Sequence, residues 1–264
     1  MSVTHHPSQQ PYEGEFSAPY FYSNLLHPIA KMKKIIVLSL LSLLVSKNAN
    51  AARPMVTDDA RLTKGGSCQL ESWLRVNPNG SELWALPACN PSGNFEVTLG
   101  GALSKVDNQK STTDIIVQAK TIIKELKAND WGVGFAIGTA NHQSDDYPGP
   151  NGVGSSYAYV PISISSFDDK LITHINVGYM HNRKSTSDSA TWGIGAEVKT
   201  IPNLLYILEA YGDHRTSPFV QTGLRYSVVP DIFQIDATIG KQLNTDNVHW
   251  LSIGIRYTPD DFLK

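Results

Sequence analysis

Histidine is the side chain of this sequence best able to act as a general base, so its positions decide whether hydrolytic chemistry is plausible. A serine nucleophile needs a histidine within hydrogen-bonding reach and a third polar group that orients the ring. His174 shares one face of an alternating apolar and polar stretch with Asn176, whereas His181 and His214 lie beside polar loops. No histidine shares the apolar face of such a stretch with a serine. We therefore expect His174 to hydrogen-bond inside the protein rather than to act as a catalytic base.

Acidic pairs are the next candidates, because carboxylates and imidazoles bind divalent ions. Asp145-Asp146 and His142 lie in one stretch that also carries Pro148 and Gly149, a composition typical of a solvated loop. We expect no metal and no cofactor there. Asp58-Asp59 is interpreted as a capped turn at the periplasmic plug or rim.

An export signal lies within the first 51 residues. A basic n-region, an apolar h-region and a small-residue cleavage site follow one another in the order that a signal peptide requires. They are formed by Lys31, Lys33 and Lys34, by residues 35–45, and by Ala49-Asn50-Ala51. The apolar run is shorter than the roughly 20 residues that a membrane helix needs. We predict a signal peptide at residues 32–51, cleaved after Ala51, with a retained anchor helix as the alternative.

The segments on either side of this signal show no periodicity. Residues 1–31 precede a signal that should open the chain, so we interpret them as an over-extended start or an unstructured leader. Residues 52–65, which follow the cleavage site, are predicted to be a periplasmic N-terminal segment.

Cys68 and Cys89 are the only cysteines, and export takes them to an oxidising compartment where an even number usually pairs. Between them, Asn77-Pro78-Asn79-Gly80 has the signature of a type I turn. A hairpin folded about Pro78 and Asn79 places the cysteines opposite one another. We predict a disulfide, with two free thiols or a metal pair as alternatives.

Segments of about ten residues that alternate apolar and polar side chains run from Cys68 to Tyr257, separated by polar turns. This is the signature of a transmembrane β-barrel, whose strands face lipid on one side and the lumen on the other. We predict an all-β fold, a transmembrane antiparallel up-and-down barrel of about 12 strands over residues 66–258, with a short tail at 259–264. Residues 113–126 could form a helix, but their β-branched content favours a strand. A soluble lipocalin-like barrel, with its apolar face inward, is the structural alternative.

The connecting loops support the same fold. Loops that would face outward, such as residues 142–155, are longer than those that would face the periplasm, such as Ile201-Pro202. Outer-membrane barrels show this asymmetry. We expect the loop at residues 142–155 to fold over the outer mouth.

Thirteen polar side chains lie on the lumen-facing parity of these strands and are the predicted lumen-lining set. They are Glu96, Lys120, Lys124, His174, Asn176, Glu197, Lys199, Glu209, Gln221, Arg225, Gln234, Asp236 and Arg256. Both signs of charge occur, which favours ion pairs across the lumen and argues against strong ion selectivity. Gly132, Gly134 and Gly138 share this parity and are expected to leave open space.

The composition limits the classes of partner that this protein is expected to bind. A net charge of −2 and a pI near 6.4 indicate no nucleic-acid partner. The partners that we expect are outer-membrane lipid and small solutes.

The start of the mature chain resembles a known family. Residues 52–60 read Ala-Arg-Pro-Met-Val-Thr-Asp-Asp-Ala and precede Gly66-Ser67-Cys68-Gln69-Leu70-Glu71. This is similar to small proteobacterial outer-membrane barrels that carry a transporter label and are related to the meta-pathway phenol-degradation proteins. The resemblance implies a pore-like barrel for small organic molecules.

These observations predict a narrow pore or uptake channel in the outer membrane of a Gram-negative bacterium, without enzyme activity. The alternatives are an outer-membrane lipid-modifying enzyme and a plugged barrel with a structural or surface-interaction role.

Overall fold

A computed structural model describes residues 55–106, 111–143, 154–183, 185–245 and 248–259. The predictions for the extension at residues 1–31, the signal peptide and its cleavage site lie outside these ranges. So do those for most of the loop at 142–155 and of the tail at 259–264.

Twelve antiparallel strands close into one barrel, in which each strand pairs with its sequence neighbours and β1 pairs with β12. The strands are β1 (Ser67–Asn77), β2 (Gly80–Asn90), β3 (Phe95–Val106), β4 (Thr112–Lys124), β5 (Trp131–Gln143), β6 (Ser155–Ser166), β7 (Leu171–Asn182), β8 (Ser187–Ile201), β9 (Leu204–Asp213), β10 (Phe219–Val229), β11 (Phe233–Gln242) and β12 (His249–Tyr257). The predicted fold class is confirmed, including a strand over most of residues 113–126. Among the described residues, no helix is long and apolar enough to cross a bilayer.

The barrel is apolar outside and polar inside. Leu99 is 59% exposed and Leu251 58%, whereas the lumen-facing Arg225 and Arg256 are each 2% exposed. Exposing so much apolar surface is favourable only against lipid. The lipocalin-like alternative is therefore wrong, because its apolar side chains would point inward.

The end of the barrel where β1 begins is called proximal here, and the opposite end distal. At the proximal end Cys68 pairs with Cys89 in the β1–β2 register, and the two sulfurs form a disulfide. This confirms the predicted bridge. The hairpin turn lies at Pro78 and Asn79, as predicted, because the β1–β2 pairing runs without a shift to Asn77 and Gly80.

Residues Met55–Thr63, called the luminal segment below, lie inside the barrel. Met55, Thr57, Asp59 and Thr63 are each at most 2% exposed. The predicted periplasmic position of residues 52–65 is therefore wrong for this segment. The physical reason is that the wall carries donors and acceptors that satisfy the backbone of this segment, so the segment loses little by leaving water.

Candidate functional site

The two aspartates of the luminal segment bind one lysine of the wall. Lys120 on β4 is 4% exposed, and its Nζ lies 2.9 Å from Asp58 Oδ1 and 3.5 Å from Asp59 Oδ1. The Tyr159 hydroxyl on β6 donates to the other Asp58 carboxylate oxygen at 2.6 Å. The Asn176 amide on β7 donates to the Asp58 carbonyl oxygen (2.8 Å) and accepts from its N–H (3.0 Å). Contacts with three strands thus fix how deep the segment sits.

The backbone at the inner end of the segment is held by Glu209 on β9. One carboxylate oxygen accepts a hydrogen bond from Val56 N at 3.0 Å, and the other accepts from Thr57 N. Gln221 on β10 donates to the same carboxylate at 2.5 Å. Glu209 therefore satisfies two backbone donors that would otherwise be buried without partners.

Nearer the proximal end, the wall again accepts backbone donors. Ser163 Oγ on β6 accepts from Ala60 N at 2.8 Å, and Glu96 Oε2 on β3 accepts from Thr63 N at 2.7 Å. Asn90 Nδ2 donates to the Thr63 carbonyl oxygen at 2.6 Å. The segment is thus held along its length by hydrogen bonds and ion pairs to the wall.

Glycines on β8 make room for the segment. A Cβ atom at residue 195 would lie 1.9 Å from Met55 Cε, and one at residue 193 would lie 2.5 Å from Thr57 Oγ1. Such distances are far inside van der Waals contact, so the wall is shaped for these two side chains.

A serine, a histidine and a glutamate lie together on the inner face of the wall, beside the luminal segment. Ser163 Oγ is 2.8 Å from His174 Nδ1, and His174 Nε2 is 3.8 Å from Glu197 Oε2. Ser163 and His174 are fully buried. As predicted, His174 faces the lumen and hydrogen-bonds there. The Ser163 hydroxyl oxygen also accepts the Ala60 N–H, so the luminal segment covers the position from which a substrate would approach.

Two arginines neutralise the acidic side of the lumen. Arg225 Nη1 lies 2.6 Å from Glu197 Oε1, and Asp236 is directly opposite Arg225 in the β10–β11 register. Arg256 Nε donates to Gln69 at 3.2 Å, and its Nη1 donates to Gln234 at 3.4 Å. Among the wall residues that the structure describes, buried carboxylates nevertheless outnumber buried cations, five to three: Glu71, Glu96, Glu197, Glu209 and Asp236 against Lys120, Arg225 and Arg256.

Two of the predicted lumen-lining lysines lie elsewhere. A β-bulge between Ile122 and Lys124 shifts the register, and Lys124 therefore pairs with Val133 on the outer face. Its Nζ lies 4.1 Å from the ring centre of Trp131 and 2.7 Å from Asp130 Oδ1. The prediction for Lys124 is thus wrong, since an extra residue reverses the parity.

Lys199 keeps its parity but lies exposed near the proximal end of β8 rather than within the lumen. The remaining predicted side chains, apart from Lys124 and Lys199, are at least nine-tenths buried on the inner face of the barrel.

Asp130 shows how the proximal rim is charged. It lies in the turn between β4 and β5, outside the strands, and accepts a hydrogen bond from Lys124. This hydrogen bond, with the backbone N–H of Trp131, holds the pKa of the Asp130 carboxyl below its ordinary value.

The expected open space beside the glycines of β5 is absent where the structure describes their surroundings. A Cβ atom at Gly138 would lie 2.5 Å from the Tyr157 hydroxyl, and one at Gly132 would lie 2.7 Å from the Leu126 backbone. These glycines accommodate neighbouring groups.

A cavity of about 60 Å³ lies beside the luminal segment, bordered by Gln69, Glu71 and Lys120.

The distal half of the lumen is lined by aromatic rings that the sequence analysis did not single out. The signal that the sequence offered was the position of each ring on the lumen-facing parity of its strand. They are Trp73, Trp84, Tyr157, Tyr159, Tyr211, Phe219 and Trp250. The lumen is therefore divided into a charged proximal half, which holds the luminal segment, and an aromatic distal half.

The described residues contain no group of three or more His, Cys, Asp or Glu side chains that could hold a metal ion. Of the side chains weighed as metal ligands, His142 pairs with Asp114 at 2.6 Å, and Asp145 and Asp146 lie outside the described residues.

A closed antiparallel barrel with an apolar exterior and a polar, partly charged lumen is a porin-like membrane barrel. Solved porins share this fold. The chain superimposes on the KdgM porin with a TM-score of 0.55 and 10% identity, covering 72% of this chain and 98% of that one. The NanC porin gives a TM-score of 0.51 and 14% identity, with the same two coverages.

The family is shown by sequence. Residues 39–258 match the family described as Uncharacterised conserved protein UCP029691, and the chain belongs to that family. No curated protein matches the sequence. The predicted relation to meta-pathway phenol-degradation proteins is not among these matches, whereas the predicted porin-like outer-membrane architecture agrees with them.

Proposed function

We propose that this protein is a narrow outer-membrane channel for small solutes, exported by its signal peptide, and that the luminal segment controls access through it. One observation carries the proposal. The lumen holds a segment of the chain through polar contacts to the wall, instead of being filled by wall side chains that pack against each other. A space that accommodates a peptide segment is wide enough for a small solute once the segment moves.

The charge of the lumen supports a weak preference for cations over anions. With the segment displaced, five buried carboxylates would face three buried cations. Rings of acidic side chains favour cations in channels. Because the signs are mixed and several groups are paired, we propose weak cation preference and passage of neutral solutes.

A structural neighbour supports the passage of extended solutes. The KdgM porin has been solved in complex with disordered oligogalacturonate, with a TM-score of 0.54 and 11% identity to this chain. For this chain we propose only the size class, a small or extended solute.

A plugged structural barrel is the second candidate, and the seated luminal segment favours it directly. We propose no lipid-modifying activity for the Ser163, His174 and Glu197 group. These side chains face the lumen, where lipid does not reach, and Ala60 N already occupies the serine oxygen. A nucleophile in a membrane-lipid hydrolase must instead meet its substrate at the barrel surface.

Conductance in planar bilayers and solute uptake by liposomes test the channel. The informative variant combines Asp58→Ala with Asp59→Ala, which removes the carboxylates bound by Lys120. We expect higher conductance and faster entry of sugars, amino acids and small aromatics than in the wild type. Asp168→Ala, in an exposed turn, is the matched control and should behave as the wild type. If neither the wild type nor the double variant conducts or passes solute, the plugged barrel is the better description.

A further inference from the structure

The distal half of the lumen contains a continuous arc of aromatic rings with a charged centre. On one side, Trp73 on β1 and Trp84 on β2 stack with their ring centres 5.4 Å apart and their planes 7° from parallel. On the other side, Trp250 on β12 meets Phe219 on β10 at 6.1 Å, and Phe219 stacks on Tyr211 of β9 at 5.4 Å. These five rings belong to strands along one side of the barrel and lie on the lumen-facing parity of those strands.

Arg75 and Glu82 join the two groups of rings. The Arg75 guanidinium lies 5.1 Å from the ring centre of Trp250, and its Nη1 lies 3.7 Å from Glu82 Oε2. Trp84 Nε1 donates to the same glutamate oxygen at 2.9 Å. The side chains of Arg75 and Glu82 are each about a quarter exposed. Both residues occupy positions whose side chains point inward, so their exposed atoms face the lumen. The arc therefore combines flat apolar faces with polar groups that a solute in the lumen can reach.

Two buried donors of the arc have no hydrogen-bond partner within the described part of the chain. They are Trp250 Nε1, on a side chain that is 7% exposed, and Arg75 Nε. A buried donor without an acceptor costs free energy, and water, an ion or a ligand that supplies the acceptor removes that cost. The two side chains lie against one another, with the Arg75 guanidinium 5.1 Å from the Trp250 ring centre.

We propose that this aromatic arc is a solute-binding site for a small neutral ring that carries an oxygen acceptor. The ring stacks on the aromatic faces, as flat π surfaces favour, and its oxygen accepts hydrogen bonds from Trp250 Nε1 and Arg75 Nε. A sugar and a hydroxylated aromatic compound share this chemistry. A neutral solute fits the arc because its two charged groups, Arg75 and Glu82, already pair with each other.

The proposal rests on the channel function, since the arc lies where a solute would first enter the lumen. Binding and conduction are nevertheless measured separately. If a ring solute binds to a barrel that does not conduct, the binding site is supported and the channel function is refuted. If the barrel conducts but binds no ring solute, the binding site is refuted and the channel function is supported.

The test is equilibrium binding by calorimetry on the detergent-solubilised full protein, with cellobiose, benzyl alcohol and sorbitol as probes. Sorbitol offers hydroxyl groups without a ring. We expect saturable binding of cellobiose or benzyl alcohol, which identifies the sugar or the aromatic source, and much weaker binding of sorbitol. No saturable binding of either ring compound, or equal binding of sorbitol, would overturn the proposal.

Variants separate the contribution of the hydrogen-bond donor from that of the aromatic face. Trp250→Phe keeps a ring and removes the Nε1 donor, so we expect about fivefold weaker binding, the factor that one net hydrogen bond provides. Phe219→Leu removes an aromatic face and should weaken binding by about threefold to tenfold. The control is Trp192→Phe, the same change on the outer face of β8. Equal affinities in Trp250→Phe, Phe219→Leu and the wild type, with heat-modifiable gel migration showing that all are folded, would refute the site.

Discussion

The ion pair between Lys120 and the two aspartates offers the sharpest test of how the luminal segment is held. Lys120→Met keeps most of the side-chain volume and removes the positive charge. Asp58 and Asp59 would then be buried without the cation that now lies 2.9 and 3.5 Å away. We therefore expect the segment to leave its position more often.

The magnitude follows from the burial of this pair. Lys120 is 4% exposed, so solvent screens the interaction little. Removing one partner of a buried ion pair costs about 3–5 kcal/mol. At about 1.4 kcal/mol per tenfold, the displaced population should rise roughly 100-fold or more. Tyr159 and Asn176 keep their hydrogen bonds to Asp58, which favours the lower end of this range.

Hydrogen exchange of the segment's own amides measures this population directly. Val56, Thr57, Ala60 and Thr63 donate their N–H groups to wall acceptors and should lose protection together in Lys120→Met. The open fraction of single channels in planar bilayers should rise in parallel.

Lys124→Met is the matched control, because it makes the same change four residues along the same strand. Lys124 is about one-third exposed and pairs with Asp130, which is also exposed. Exposed ion pairs contribute little, so this variant should keep wild-type amide protection. If protection of the four amides is the same in Lys120→Met, Lys124→Met and the wild type, the ion pair does not hold the segment and our reasoning is refuted.

Three further predictions concern the wall and its proximal rim. Reducing the Cys68–Cys89 disulfide should destabilise the barrel by about 2–4 kcal/mol in denaturant unfolding, and mass spectrometry that finds both thiols free in protein isolated from membranes would contradict the bridge. Arg225→Met removes the cation 2.6 Å from the buried Glu197 carboxylate and leaves Arg61, at 4.0 Å, so the free energy of unfolding should fall by about 3 kcal/mol, the lower end of the range for a broken buried pair; an unchanged denaturation midpoint would show that this pair is dispensable. In Lys124→Met, the pKa of Asp130 should rise toward its ordinary value of 3.8 in an NMR titration. Because the folded pKa is depressed, the Lys124–Asp130 pair stabilises the protein above the ordinary pKa of Asp130, and its contribution is lost as the pH falls through the folded value; an unchanged pKa in the variant would exclude Lys124 as the cause.

Most of the barrel could be predicted because each strand must satisfy two environments at once. Lipid on one side and the lumen on the other impose an alternation of apolar and polar residues, which is local and readable without any contact information. Leu251 and Ile253 on the outer face of β12 and Arg256 on its inner face follow this rule. The disulfide was readable for a related reason, since a two-residue turn at Pro78 and Asn79 fixes the register of the first hairpin.

The failures arise where the alternation is interrupted or does not apply. At Lys124 a single extra residue reverses the side of the wall, and the adjacent Ile122 and Ile123 interrupt the alternation without showing which side the next residue faces. The luminal segment has no period at all. Asp58 and Asp59 show only that this stretch is acidic, whereas their partner Lys120 is 62 and 61 residues away along the chain.

By itself, the sequence determined the all-β class, the number of strands, the direction in which side chains of regular strands face, and the disulfide, because each depends on residues that are neighbours along the chain or across one turn. Only the tertiary structure decided what fills the lumen. Barrel closure brings β4, β6, β7 and β9 around the luminal segment, and it brings the aromatic rings of β1, β2, β9, β10 and β12 onto one distal surface. Those contacts join residues from distant strands, and their geometry exists only once the barrel has closed.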